Sequence, residues 1–267
     1  MLVIDTHCHC SKYYYEDAEV LSFQMNRCGV EKAVIVQHMG NYFNEYAIEC
    51  VRRFPGRFAA VVIIDTDKPD AAATLAHWAA EGASGVRLQA STRSPGDDPL
   101  AIWRKAGELG LSAAVLGSEE EFASNEFAGL IEKVPETTII LEHLGLCPPH
   151  GEFPDEKPPY ATYRKVLNLA KYPNTLMKFP GIGMLTKRTR PFRQPMPFEN
   201  IPPFAQMAFE AFGPQRMMWG SNFPVCSAQE GYVNCFQFLR DHMTFAGADG
   251  QEWIFGKTAL SVYFSRP

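Results

Sequence analysis

No apolar run in this 267-residue chain approaches the roughly 20 residues of a membrane-spanning helix, so a spanning role is not expected. No basic segment followed by an apolar core opens the chain; strand-like sequence begins at residue 2, and no secretory leader is expected. Positive charge is scarce. The 25 lysines and arginines face 30 acidic residues, for a formal charge of −5. That balance has the wrong sign for general binding to a phosphate backbone. There is no Cys-x-x-Cys pair, and seven scattered cysteines read as free thiols in a reducing, cytoplasmic compartment. No Gly-x-Gly-x-x-Gly or Gly-x-x-x-x-Gly-Lys turn follows any strand-like run, which argues against an open dinucleotide- or nucleotide-binding sheet. Internal repeats, low-complexity tracts and hinge-like linkers are also missing.

What is present is a regular alternation. Short apolar runs of strand composition lie at Leu2–Ile4, Lys32–Gln37, Phe58–Ile64, Gly85–Gln89, Leu111–Leu116, Thr138–Glu142, Thr175–Phe179 and Met217–Trp219. Continuous rather than alternating apolar character suits strands covered on both faces. Helical stretches lie between them: Asp70–Glu81, Pro99–Leu109, Tyr163–Ala170 and Phe204–Phe212, the first two ending before Gly82 and Gly110. Eight strands alternating with helices predict an α/β fold, a (β/α)8 TIM barrel, with residues 1–267 as a single domain. In such a barrel the chemistry sits in the loops after the strands. The loop after the sixth strand (LCPPHGEFPDEKPPY) and the longer one after the seventh are of a length that usually carries function. The seventh-strand loop holds Lys187, Arg188, Arg190 and Arg193. A solvated basic loop would explain them, and so would capture of an anionic substrate, with Arg188 and Arg190 as candidate carboxylate ligands.

The opening stretch Ile4-Asp5-Thr6-His7-Cys8-His9-Cys10 carries the sharpest chemical signal. Residues two apart in a strand share a face, so Asp5, His7 and His9 are expected on one side and Cys8 and Cys10 on the other. Two imidazoles at a barrel mouth are a candidate pair of metal ligands. Arg87 in GVRLQ faces the barrel with Gly85 and Gln89. It is too costly to bury alone, so it should meet either a carboxylate or a substrate anion. Lys178 reads first as a member of a buried ion pair. Glu142, adjacent to His143, is expected to point away toward the helices. Tyr13, Tyr14 and Tyr15 either wall the pocket or form a surface cluster.

Taken in order, VIDTHCH, GASGVRLQ, IILEHLG, NTLMKFPG, MMWGSNFP and IFGKTALSVYF resemble the amidohydrolase superfamily. Within it they are similar to the amidohydrolase-related branch of metal-dependent decarboxylases and pyrone-dicarboxylate lactonase-like hydrolases. The resemblance covers essentially the whole chain and implies a (β/α)8 barrel. It assigns His7 and His9 to the first-strand metal ligands, His143 to the sixth-strand histidine, and Asn222 to the polar residue after the last strand. It also points to Arg87 as a ligand for substrate carboxylate. Two departures stand out. Many members end the last strand in an aspartate, where this chain has Asn222, and many have a fifth-strand histidine, where it has Leu116 and Gly117. The resemblance therefore implies a hydrolase of a small carboxylated lactone, ester or amide, with His143 and Asn222 as catalytic residues. One divalent ion, zinc or manganese, would be held weakly by His7 and His9, since neutral Asn222 replaces the usual anionic ligand; some lactonase-like relatives work without metal, so a metal-independent hydrolase is compatible too. A non-oxidative metal-dependent decarboxylase is the alternative enzyme, and a binding barrel without its general base is the alternative to an enzyme. The expected partner is a small anionic substrate, with no nucleic acid and no membrane; a homo-oligomer is compatible with the sequence.

Overall fold

The computed structural model describes residues 1–146 and 157–265. Most of the sixth-strand loop, residues 147–156, lies outside the described residues. Eight parallel strands form one sheet in the order of the chain. They are β1 (Ile4–Cys8), β2 (Lys32–Val36), β3 (Phe58–Val62), β4 (Gly85–Gln89), β5 (Ser112–Leu116), β6 (Ile139–Leu141), β7 (Thr175–Phe179) and β8 (Met217–Trp219). The helices are α1 (Ala18–Cys28), α2 (Glu45–Arg53), α3 (Ala71–Ala80), α4 (Ala101–Glu108), α5 (Glu119–Phe122), α6 (Asn125–Lys133), α7 (Ala161–Leu167), α8 (Phe204–Phe212), α9 (Tyr232–His242) and α10 (Gly247–Glu252). This is the (β/α)8 barrel that the alternation predicts. No helix among the described residues is long and apolar enough to cross a membrane.

The strands bury both faces, and the two faces pack differently. Val34, Val36, Ala59, Val61, Ala114, Ile140, Leu176 and Met218 fill the inside of the barrel, joined by Tyr263 from the C-terminal segment. Val86, Leu88, Ile139, Leu141, Met177 and Phe179 face outward into the larger core beneath the helices. This phase decides what sits higher up. Above Ile140 the next inward residue is Glu142, and above Leu176 it is Lys178. On β4 the inward residue between Val86 and Leu88 is Arg87. A charged layer therefore rests on an apolar one at the C-terminal ends of the strands.

The ladder between β1 and β2, beside the seam where the barrel closes, departs from a regular register. Asp5 pairs with Ala33 and Cys8 with Ile35, so two residues of β1, Thr6 and His7, oppose one of β2. This is a β-bulge, which re-aims side chains at barrel rims. It corrects the expectation for Asp5, which the extra residue puts out of phase with His7 and His9. The Asp5 Oδ1 instead accepts from Ser221 N at 2.8 Å and His7 N at 3.1 Å, tying the first strand to the turn after the last. Thr6 Oγ1 donates to Trp219 O at 2.6 Å, Asn222 N to His7 O at 2.8 Å, and His9 N to Phe223 O at 2.7 Å. Gly220 makes the seam tight, because a Cβ there would stand 2.5 Å from His7 Cβ and 2.9 Å from His7 N. The neighbouring atoms are backbone and a Cβ rather than a flexible tip, so they cannot yield cheaply. Gly220→Ala should therefore cost about 1–3 kcal/mol, as overpacking does. Urea unfolding would read it, and an unchanged midpoint would show that the seam adjusts.

Candidate active site

His7 and His9 project from the end of β1, Arg87 from β4, Glu142 and His143 from the end of β6, Lys178 from β7 and Asn222 from the turn after β8. All seven are buried. Glu142, fully buried, is the hub. Its Oε2 accepts from Arg87 Nε at 3.1 Å and from Arg87 Nη2 at 2.9 Å. Its Oε1 lies 3.0 Å from His7 Nδ1 and 3.6 Å from Lys178 Nζ. Burial alone would push this carboxyl up, but Arg87, His7 and Lys178 outweigh it and hold it well below the usual range. Burial lowers the Lys178 ammonium, and Glu142 opposes that shift.

Glu142 thus faces the pocket, not the helices. The expectation failed because β6 reads Ile-Ile-Leu, apolar at every position, and so carries no phase. His143 also reaches the pocket, its ring 4.7 Å from that of His7. Two consecutive residues share one side because the chain leaves the strand in a left-handed turn. His143 has φ 53°, Leu144 62° and Gly145 68°. Such conformations cost of order 1–3 kcal/mol for residues other than glycine and cluster at functional sites.

The tautomers follow from the partners. His9 Nδ1 lies 2.7 Å from Val36 O, which can only accept, so Nδ1 carries the proton and Nε2 the lone pair. His7 Nδ1 faces the ionised Glu142, which leaves its Nε2 as the lone pair as well. Those two Nε2 atoms stand 3.2 Å apart, and Asn222 Oδ1 is 3.2 Å from that of His9. The Asn222 amide is oriented by its other end, where Nδ2 donates to Met184 Sδ at 3.2 Å. Three proton-free donor atoms therefore converge. Two imidazole nitrogens sharing a tetrahedral zinc stand about 3.3–3.4 Å apart, so the pair fits a divalent ion. His7, Glu142 and His143 form a second grouping, with ligand atoms within 4.8 Å of one another. There Glu142 Oε2 is taken by Arg87, while Oε1 lies beside His7 and Lys178 as an ion-pair neighbour without a hydrogen bond. The first donor set has the spacing of a shared ion, with its two imidazole nitrogens 3.2 Å apart.

Other expected residues fall elsewhere. Arg87 sits in the pocket, but its guanidinium is committed to Glu142 and, through Nη1, to Gln37 O at 3.0 Å. Arg188 is exposed, donating to Ala228 O at 3.4 Å with its guanidinium over Phe192. It lines an outer groove with Glu230, Asn234 and Phe238, on the α9 side of the loop. Arg190 is exposed too. Their loop carries these two arginines outward, apart from the central cluster. The tyrosines divide: Tyr15 stacks on His9 at 5.6 Å, while Tyr13 is 96% exposed. Sequence reasoning passed over His38, whose ring lies 5.7 Å from that of His9. The signal was available, since His38 directly follows a strand-like run, where barrel chemistry is placed.

Two outcomes follow from the electrostatics. Glu142→Gln keeps the shape but strips two buried cations of their counter-charge, and should destabilise the fold by about 3–5 kcal/mol in denaturant titration. A loss below 1 kcal/mol would mean that Arg87 and Lys178 do not depend on Glu142. The second concerns acid. Burial drives His9 down to about 3 and His143 to about 4, against an ordinary 6.5. In chelator-treated protein their contribution should be present in full above pH 6.5. It should be lost as pH falls through that value toward 4 and 3, because the unfolded chain takes up protons first. His143→Asn should flatten part of that decline in a series of melting temperatures between pH 4 and 7. A slope unchanged by the substitution would show that His143 titrates normally.

The comparisons with known proteins agree with this geometry. A family model described as amidohydrolase matches residues 4–264. An L-fucono-1,5-lactonase of Burkholderia multivorans is 33% identical over 95 residues, which are 35% of this chain and 31% of that one. The chain spans about 30% of the length of the curated relatives it matches. Two solved structures share the fold. One is an amidohydrolase of Burkholderia multivorans with bound zinc, with TM-score 0.77 and 22% identity, covering 98% of this chain and 99% of that one. The other is a candidate 2-pyrone-4,6-dicarboxylic acid hydrolase of Pseudomonas putida, with TM-score 0.75 and 20% identity, covering 98% and 97%. With the family match running nearly end to end, the chain belongs to the amidohydrolase family.

Proposed function

We propose that the protein hydrolyses a small carboxylated lactone, or a related ester or amide. The observation that carries this reading is the charge layer at the barrel mouth. Among the described residues Arg87 and Lys178 face a single carboxylate, Glu142, so the layer they form holds one more positive charge than negative. A site of that sign favours an anionic substrate. It lies beside three imidazoles that are neutral at pH 7, since burial lowers all three. The matched lactonase supports the choice of a cyclic ester.

In this reading His143 is the proton carrier. A ring nitrogen lies within 4.8 Å of the facing atoms of His7 and Glu142, and no hydrogen bond ties the ring to another described residue. A neutral imidazole there accepts a proton as water adds to the carbonyl and returns it to the departing oxygen. Its basicity is low with the pocket empty, and a substrate carboxylate nearby raises it toward neutrality. Asn222 has no proton-accepting role, because an amide does not accept one at neutral pH. It positions His9 and supplies an oxygen donor. His7, His9 and Asn222 are the residues that would hold a zinc or manganese ion, with His143 alongside. Such an ion, when bound, supplies Lewis-acid polarisation of a carbonyl oxygen. The same reading includes a cytoplasmic location, which the six free described cysteines support, and no nucleic-acid or membrane partner.

The test is a panel of small lactones with and without a ring carboxylate, followed by acid release in a weakly buffered indicator solution. Turnover should be confined to the carboxylated members, and His143→Asn should reduce it by about 10²–10⁴-fold. Release of carbon dioxide from aromatic carboxylates, with the lactones left intact, would replace this reading by decarboxylation. Saturable binding without turnover would point to a binding barrel.

A further inference from the structure

The donor set at Asn222 differs from an ordinary divalent-cation site in one respect that the geometry makes consequential: it holds no charge. Two neutral imidazoles and an amide oxygen converge, at 3.2 Å between His7 and His9 and 3.2 Å between His9 and Asn222. Among the described residues the one carboxylate on the pocket side, Glu142, is paired with Arg87, Lys178 and His7. Asp5 belongs to the other face of β1, where its Oδ1 serves the backbone N–H groups of Ser221 and His7. A dication entering the set therefore gains imidazole and amide donation but no Coulomb attraction from a ligand. It must also approach the two buried cations behind Glu142.

The asparagine weakens such a site in a second way. Turned by 180°, its amide would present Nδ2 to the lone pair of His9 Nε2 and form an ordinary hydrogen bond. A carboxylate has no such option, so asparagine also stabilises the metal-free pocket.

We infer that Asn222 makes metal and carboxylate binding interdependent: the site takes up a divalent ion effectively only together with an anionic ligand, whose carboxylate supplies the missing negative ligand. The inference deepens the reading above and rests on its premise that the pocket receives carboxylates. Thermodynamic linkage makes the effect reciprocal, so the ion must strengthen carboxylate binding by the same factor. Asn222 is thereby a specificity-determining residue. It reserves the loaded state of the site for the moment when the substrate is present, and leaves the protein largely metal-free otherwise. Because His7, His9 and Asn222 come from the two strands that close the barrel, the coupling needs no movement of the fold.

The experiment is calorimetry on the full, chelator-treated chain, with zinc as the metal probe and glutarate as the carboxylate probe. Glutarate chelates zinc only weakly in solution, and a competing chelator sets the free zinc level. In wild type, saturating glutarate should tighten zinc binding at least tenfold, equivalent to about 1.4 kcal/mol. Saturating zinc should tighten glutarate binding by the same factor. Asn222→Asp should bind zinc at least tenfold more tightly without glutarate and show a glutarate effect below threefold. Asn222→Ala, which adds no charge, should keep the coupling while binding zinc more weakly than wild type. Zinc affinity in wild type that is indifferent to glutarate would overturn the inference. So would an Asn222→Asp variant no tighter than wild type, which would place the ion at His7, Glu142 and His143. None of these readings uses turnover, so a failed lactone assay leaves the inference standing, and uncoupled binding defeats it alone.

Discussion

A single carboxylate, that of Glu142, holds the interior of this barrel together. Two cations, Arg87 and Lys178, lie almost wholly inside the protein, and among the described residues neither has another acidic partner on the pocket side. Burying either charge alone would cost several kcal/mol. Glu142 lets both be buried and in return is kept ionised by them. That ionisation has a chemical consequence, because an anionic oxygen beside His7 Nδ1 fixes which nitrogen of His7 carries the proton. The lone pair then emerges on Nε2, toward His9 and Asn222. The stability of the charge layer and the donor character of the site are thus one arrangement seen from two sides.

The left-handed turn after β6 is what brings this about. An ordinary strand ending would have offered either Glu142 or His143 to the pocket, with the other beneath the helices. Three successive residues at positive φ fold the chain back so that both remain inside. Gly145 adopts that conformation freely, whereas Leu144, without a short polar side chain, does so at a cost. The expense is tolerable because both residues are buried, Leu144 within the outer core. A second local device works at β1, where the bulge turns Asp5 out of the pocket to grip the β8 turn. The first strand thereby serves closure with one residue and the site with the next two in phase.

The fold was legible in the sequence because the strands are separated by punctuation that physics enforces. Glycines end helices, and apolar runs lie at regular intervals; Gly85–Gln89, Thr175–Phe179 and Met217–Trp219 are strands with the boundaries that composition alone suggests. Position along a strand was readable, so His7, His9, Arg87, His143 and Asn222 meet at one mouth. Facing was not readable wherever both sides of a strand are buried. Ile139, Ile140 and Leu141 are equally apolar, and only the coordinates show that Ile140 points inward and carries Glu142 with it. The bulge at Thr6 and His7 has no glycine or proline to announce it. For the basic loop, charge type says only that a residue seeks an anion or solvent, and Arg188 and Arg190 are both exposed.

In the proposed reaction the proton carrier must be a group at the mouth whose basicity is not already committed elsewhere. Glu142 cannot serve, because a carboxylate held well below its ordinary range by three positive neighbours is a poor base. Asp5 is on the wrong face of β1. Glu230 lies behind the β7 loop, where Gly183 N donates to its Oε1 at 3.2 Å, and the Cβ atoms of any larger residues at 181 and 183 would collide with its carboxylate. Asn222 has no proton to exchange at neutral pH. His9 spends Nδ1 on Val36 O, and His7 spends Nδ1 on Glu142. His38 spends Nδ1 on Met39 O, so among the described imidazoles the proposal assigns the role to His143, which neither β1 nor β2 holds. With His143 in that role, the neutral Asn222 leaves the position after β8 free of charge. In the proposed reading that position is an opening which an anionic substrate can fill.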